Sequence, residues 1–153
     1  MNIGVYILGF VVGVGIVGYA SIPRLGREKG EREYGDNMEF LPVPESPNCV
    51  MSTLPDDHEK YVEPLSLPEE KEEKPIEFIK DLMAREFGAK VLFQNENYLH
   101  VTVQTRLMRY VDDVEFIWDE DREVMQVRSC SRLGYSDMGA NRERVERIRE
   151  LLR

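Results

Sequence analysis

Twenty consecutive residues without a charge, Ile3 to Ile22, constrain this chain more than any other feature. A helix of that length rises about 30 Å, the thickness of a bilayer's hydrocarbon core. Two readings compete: a retained anchor and a cleaved signal peptide. A signal peptide has a positive start, a core of about 7–15 apolar residues and small residues before the cut. Here only the α-amine is basic ahead of a long run, although Gly18 and Ala20 supply a small pair. A single-pass anchor over 1–22 is the preferred reading. With no cysteine near the end of the run, a bacterial lipoprotein anchor is not expected.

Gly9 and Gly13 form a G-x-x-x-G pair, the spacing that lets two membrane helices approach, so a homodimer through them is a candidate. Arg24, Arg27, Lys29 and Arg32 follow the run closely and no Lys or Arg precedes it. By the positive-inside rule this points to a cytoplasmic domain.

Past a juxtamembrane linker, 23–41, the composition changes. Seven of the eight prolines lie between Pro42 and Pro75, and residues 34–75 carry three basic and eleven acidic side chains. Nearly all of the net charge of −9 is therefore held in this segment. Such a stretch cannot bury enough surface to fold alone. Two pieces carry apolar residues able to dock on a neighbour: Ser46-Pro47-Asn48-Cys49-Val50 and His58-Glu59-Lys60-Tyr61-Val62-Glu63-Pro64-Leu65. We read 42–74 as a proline-rich acidic segment partly docked on the domain that follows. The acidity excludes a nucleic-acid partner, which needs a basic footprint.

Residues 75–153 carry the core. Pro75 suits a first helical turn, and Ile76, Ile79, Leu82, Met83 and Phe87 recur at helical spacing before Gly88. Runs at 89–94, 98–106, 111–118 and 124–131 predict strands. In the second, Leu99, Val101 and Val103 alternate with His100, Thr102 and Gln104, which places His100 towards solvent. Ser136 or Asp137 can cap a closing helix marked by Val145, Ile148, Leu151 and Leu152. Its many Arg and Glu residues read as a solvated, salt-bridged face. The order α-β-β-β-β-α predicts an α+β domain: a small antiparallel four-stranded sheet with helices on one face.

No phosphate-binding glycine loop, C-x-x-C, H-E-x-x-H or G-x-S-x-G is present. No cofactor and no metal are expected, and Asp56-Asp57-His58 reads as an acidic loop. Cys49 and Cys130 pair only in an oxidising compartment, stapling the proline-rich segment to the fourth strand. A dense set of charges lies around the strands: Arg106, Arg109, Asp112, Asp113 and Glu115, then Arg128, Arg132, Asp137, Asn141 and Arg142. A salt-bridge network that fixes loops against the sheet is one reading. The other is a polar pocket in which Arg106, Arg109, Arg128 and Arg132 grip an anionic ligand beside Asp112, Asp113, Asp137 and Asn141.

These residues also resemble a known pattern. Tyr98-Leu99-His100 with Arg106-Leu107-Met108-Arg109-Tyr110-Val111-Asp112-Asp113-Val114-Glu115-Phe116 is similar to the core of the family called domain of unknown function 1499. Val127-Arg128-Ser129-Cys130-Ser131-Arg132-Leu133-Gly134-Tyr135-Ser136-Asp137 and Asn141-Arg142 resemble its second signature, and Ser46-Pro47-Asn48-Cys49-Val50 its opening motif. The resemblance spans about 42–153. It implies an α+β domain that includes the Ser-Pro-Asn-Cys stretch and an envelope or membrane setting, with plastid proteins among plant relatives. It implies no activity. Met51 stands where the family usually has Ser, and Cys130 where Ala or Ser is usual.

The expected function is a non-enzymatic interaction or envelope-organising module on a membrane, with an unidentified protein partner. The alternatives are a binder of a small anionic or amphipathic ligand, and an enzyme that uses Cys49 or His100 with a nearby aspartate. The charge rule favours the cytoplasmic side and the resemblance an envelope, so sidedness stays open.

Overall fold

The computed structural model describes residues 38–71, 73–105 and 110–153. The apolar run 3–22, the Gly9/Gly13 pair, Arg106 and Arg109 lie outside the described residues. Among the described residues no helix is long and apolar enough to cross a membrane.

Among the described residues the strands and α-helices follow in the order β1 (Cys49–Met51), α1 (Pro75–Phe87), β2 (Lys90–Gln94), β3 (Tyr98–Gln104), β4 (Val111–Asp119), β5 (Val124–Ser131) and α2 (Ala140–Leu151), with a short 3-10 turn at Glu69–Lys71. The strands form one antiparallel sheet in the order β1-β5-β4-β3-β2. The sheet thus has five strands where the sequence predicts four. The added strand is β1, three residues inside the proline-rich segment and too short to show an alternation.

Alternation on the central strands sorts the core. Leu99, Val101, Val114, Phe116 and Val127 face one side and cluster with Ile76, Ile79, Leu82 and Met83 of α1 and with Val145 and Ile148 of α2. Both helices therefore cover the same face. Gly88, at φ 59°, ends α1: its N–H bonds the Ala84 carbonyl at 3.1 Å and the Ala89 N–H bonds Met83 at 3.2 Å. A left-handed residue there lets the chain reverse into β2.

The proline-rich segment contributes directly to this core. Val50, Val62, Leu65 and Leu67 are buried in it. Leu65 exchanges both backbone hydrogen bonds with Met125 of β5, at 2.9 and 2.8 Å. Two arginines of α2 clamp the segment from outside. Arg142 donates to the carbonyls of Tyr61 and Glu59 at 2.8 and 2.7 Å. Arg149 donates to those of Pro64 and Glu63 at 2.8 and 2.7 Å. The arginine-rich helix is therefore more than a solvated face: its guanidinium groups supply donors for a segment with few backbone partners of its own.

Candidate functional site

Adjacent residues of a strand point to opposite sides of the sheet. Asp112 and Asp113 are consequently separated, and the described members of the charged and polar cluster divide between two faces.

On the helix-covered face, Asp112, Ser129, Asn141 and Arg144 form a buried network. Arg144 donates to Asp112 Oδ2 at 2.5 Å, to Ser129 Oγ at 2.8 Å and to Asn141 Oδ1 at 2.6 Å. The Asn141 amide donates to the Asn48 carbonyl and to Ser131 Oγ, each at 3.0 Å, and to Asp137 Oδ2 at 2.8 Å. Asp137 also accepts the backbone N–H groups of Gly139 and Asn141, which satisfies free donors at the start of α2. The opening motif closes the circuit. Ser46 Oγ donates to Asn48 Oδ1 at 2.8 Å, and the Asn48 amide donates to the Gly134 carbonyl at 2.6 Å. Among the described residues Asp112 Oδ1 has no hydrogen-bond partner, although its residue is only 1% exposed.

The opposite face carries two ionic groups. Glu115 accepts Tyr98 Oη at 2.7 Å and Arg128 Nη1 at 2.9 Å, all three residues being buried. Asp113 accepts Arg132 Nε at 3.1 and 3.0 Å, Arg132 Nη2 at 2.8 Å, and His100 Nε2 at 2.8 Å. Since an ionised carboxylate only accepts, His100 Nε2 is the donor. His100 is therefore buried against Asp113, not turned to solvent as the alternation suggested.

Burial alone would raise the Asp113 carboxyl. The His100 hydrogen bond, then that of Arg132, outweigh it and hold the pKa at about 2. A folded pKa below the unfolded value adds stability above the unfolded pKa, and that stability is lost as pH falls through the folded one. The window here runs from about pH 4 down to 2, and the gain is of order 2 kcal/mol. Urea unfolding of the wild type is expected to lose that amount across this window. Asp113→Asn, less stable at neutral pH, is expected to show a correspondingly flatter acid limb.

Cys49 and Cys130 sit opposite each other in the β1–β5 register, both reduced and not joined in a disulfide. The hydrogen bond to Cys130, with burial, pushes the Cys49 thiol above its usual value, while Arg128 and Lys60 pull the other way. Cys49 lies two strands from Asp113, about 10 Å at normal strand spacing, so the Cys49 thiol is not at the His100–Asp113 pair; Cys130, between them, is the register partner of Asp113. In the acidic turn, His58 Nδ1 accepts the Lys60 N–H at 3.0 Å, while Asp56 and Asp57 are exposed. Among the described residues no group of three His, Cys, Asp or Glu side chains converges to hold a metal ion.

Sequence reasoning missed Asn48, Tyr98 and Arg144 as network members. Arg144 was detectable: Asn141, Arg144, Val145, Ile148 and Leu152 follow one helical stripe, and its polar end meets Asp112.

The loop joining β5 to α2 is built differently. Leu133, Tyr135 and Met138 are exposed there, Tyr135 by 78% and Met138 by 95%. Gly134 and Gly139 have φ of 93° and 87°, and Met138, without a glycine's freedom, has φ 54°.

A five-stranded antiparallel sheet, two helices on one face and a docked N-terminal strap define a small α+β domain whose signature motifs meet at the β1–β5 edge. The chain belongs to the DUF1499 family, a protein of unknown function, whose pattern matches residues 39–152. Neither the curated proteins nor the solved structures contain a match to it.

Proposed function

We propose that the chain is a membrane-tethered interaction module that meets a protein partner through the loop 132–139. The observation that carries this reading is the placement of exposed apolar side chains. Tyr135 and Met138 project from a loop held by two left-handed glycines. Most other charged signature residues are engaged with each other. An exposed aromatic and a flexible thioether are suited to protein contact. The loop is also tied through Gly134 to Asn48, where the chain arriving from the apolar run 3–22 joins the sheet. An anchor at 3–22 would hold this end of the domain near the membrane and its proteins.

A photoreactive benzophenone residue at position 135 of the full chain, in native membranes, tests this. Discrete protein adducts are expected from 135 and none from a control at exposed position 86. Equal labelling from both sites, or none from 135, overturns the reading.

A second reading is supported by one observation, an open cleft of about 390 Å³. Val91, Leu92, Val103 and Val111 line it together with Arg132, a composition that suits a small amphipathic anion. Saturable binding of a fluorescent fatty acid, abolished by Val91→Glu without unfolding, would favour it, Val91 being exposed.

A further inference from the structure

We propose that Cys49 and Cys130 are a redox modification site: a cross-strand disulfide whose formation waits on the opening of edge strand β1. The backbone ladder sets the geometry. Ser131 N–H bonds the Asn48 carbonyl at 3.0 Å, and Ser52 N–H bonds the Val127 carbonyl at 2.9 Å. In an antiparallel pair, hydrogen-bonded and non-bonded positions alternate. Asn48/Ser131 and Ser52/Val127 are bonded positions, which makes Cys49/Cys130, one step along, a non-bonded one. Side chains approach most closely there, with Cα atoms about 4.5 Å apart, within the range a disulfide spans. Both side chains project from the same face.

Access is the second element. Cys49 is 0% and Cys130 3% exposed, so a disulfide donor cannot reach either sulfur in the closed sheet. β1 has only three residues, pairs along its length with β5, and on its other side bridges at Met51 to Tyr61, with Met51 N–H on the Lys60 carbonyl at 3.0 Å and Val62 N–H on the Met51 carbonyl at 3.4 Å. Its departure uncovers both thiols at once. The first thiol, as thiolate, attacks the sulfur of a small-molecule disulfide such as oxidised glutathione. A mixed disulfide forms and one glutathione thiolate leaves. The second cysteine's thiolate then attacks the protein sulfur of that mixed disulfide, and the other glutathione leaves. The protein gives up two protons and two electrons, and the donor is reduced to two thiols. Closure locks β1, and the chain entering it, onto β5.

The test uses the reduced full chain in detergent with oxidised glutathione. Expected is a monomer about 2 Da lighter, unreactive to thiol reagents, whose unfolding midpoint rises by about 10 °C. Its formation should accelerate at least several-fold in urea well below the unfolding transition. Cys130→Ser should stop at the glutathione adduct and form at the same urea-dependent rate. A lasting adduct on the wild type, a disulfide-linked dimer, an unchanged midpoint or a rate indifferent to urea would each overturn the proposal.

Discussion

Arg144→Ala is expected to cost about 3–5 kcal/mol of unfolding free energy, the loss that follows when one member of a buried ion pair is removed. Arg144 is the only cation bonded to Asp112 among the described residues, and the Asp112 side chain is 2% exposed. Its Oδ1 already lacks a hydrogen-bond partner among the described residues, so the charge is left without its paired cation. Ser129 and Asn141 lose a donor at the same time. Domains of this size are stable by about 5–15 kcal/mol, so the variant should sit near its unfolding limit. Adding Asp112→Asn should return part of the loss by removing the stranded charge, which urea titration of the two variants would measure.

Asn141→Ala should be nearly as damaging, at about 3 kcal/mol, because one amide serves the sheet, the opening motif and the helix start together. Its Oδ1 accepts from Ser129 and Arg144, and its Nδ2 reaches Asn48, Ser131 and Asp137. Each neighbour is buried or half-buried, and an orphaned polar group there costs about 1–3 kcal/mol. Asn141→Asp restores shape and two acceptors but no donor, so it should not rescue. A distinctive readout is early hydrogen exchange at Ser131, whose N–H is held by the Asn48 carbonyl.

The periodic parts of the fold were legible in sequence. Helix α1, strand β5 and the alternation on β3 follow from apolar spacing, and Gly88 marks the end of α1. Two features were hidden for a physical reason. Strand β1 is three residues long and owes its form to β5, not to its own pattern. The proline-rich strap reads as partly docked from its apolar residues, but what holds it does not show locally, because donors for its carbonyls come from Arg142 and Arg149, 81 and 85 residues away. At the site, sequence proximity misled. Asp112 and Asp113 are neighbours in the chain and lie on opposite faces, so the described members of one cluster of charges divide between the two sides of the sheet. The two cysteines show the converse, far apart in sequence and direct partners in register.

The central claim is that these signature charges hold the fold together, leaving contact with a partner to the loop at Leu133–Met138. A double-mutant cycle on Glu115 and Arg128 tests it most directly, with unfolding free energies from urea. Glu115→Gln keeps an acceptor for Tyr98 while removing the charge, and Arg128→Met keeps the apolar stem. We predict that Arg128→Met alone costs about 3 kcal/mol or more, and that the pair recovers at least about 2 kcal/mol of the summed single losses. A loss below about 1 kcal/mol for Arg128→Met, with no coupling to Glu115, would contradict the account: the guanidinium would then contribute little to the fold and be available to hold a ligand.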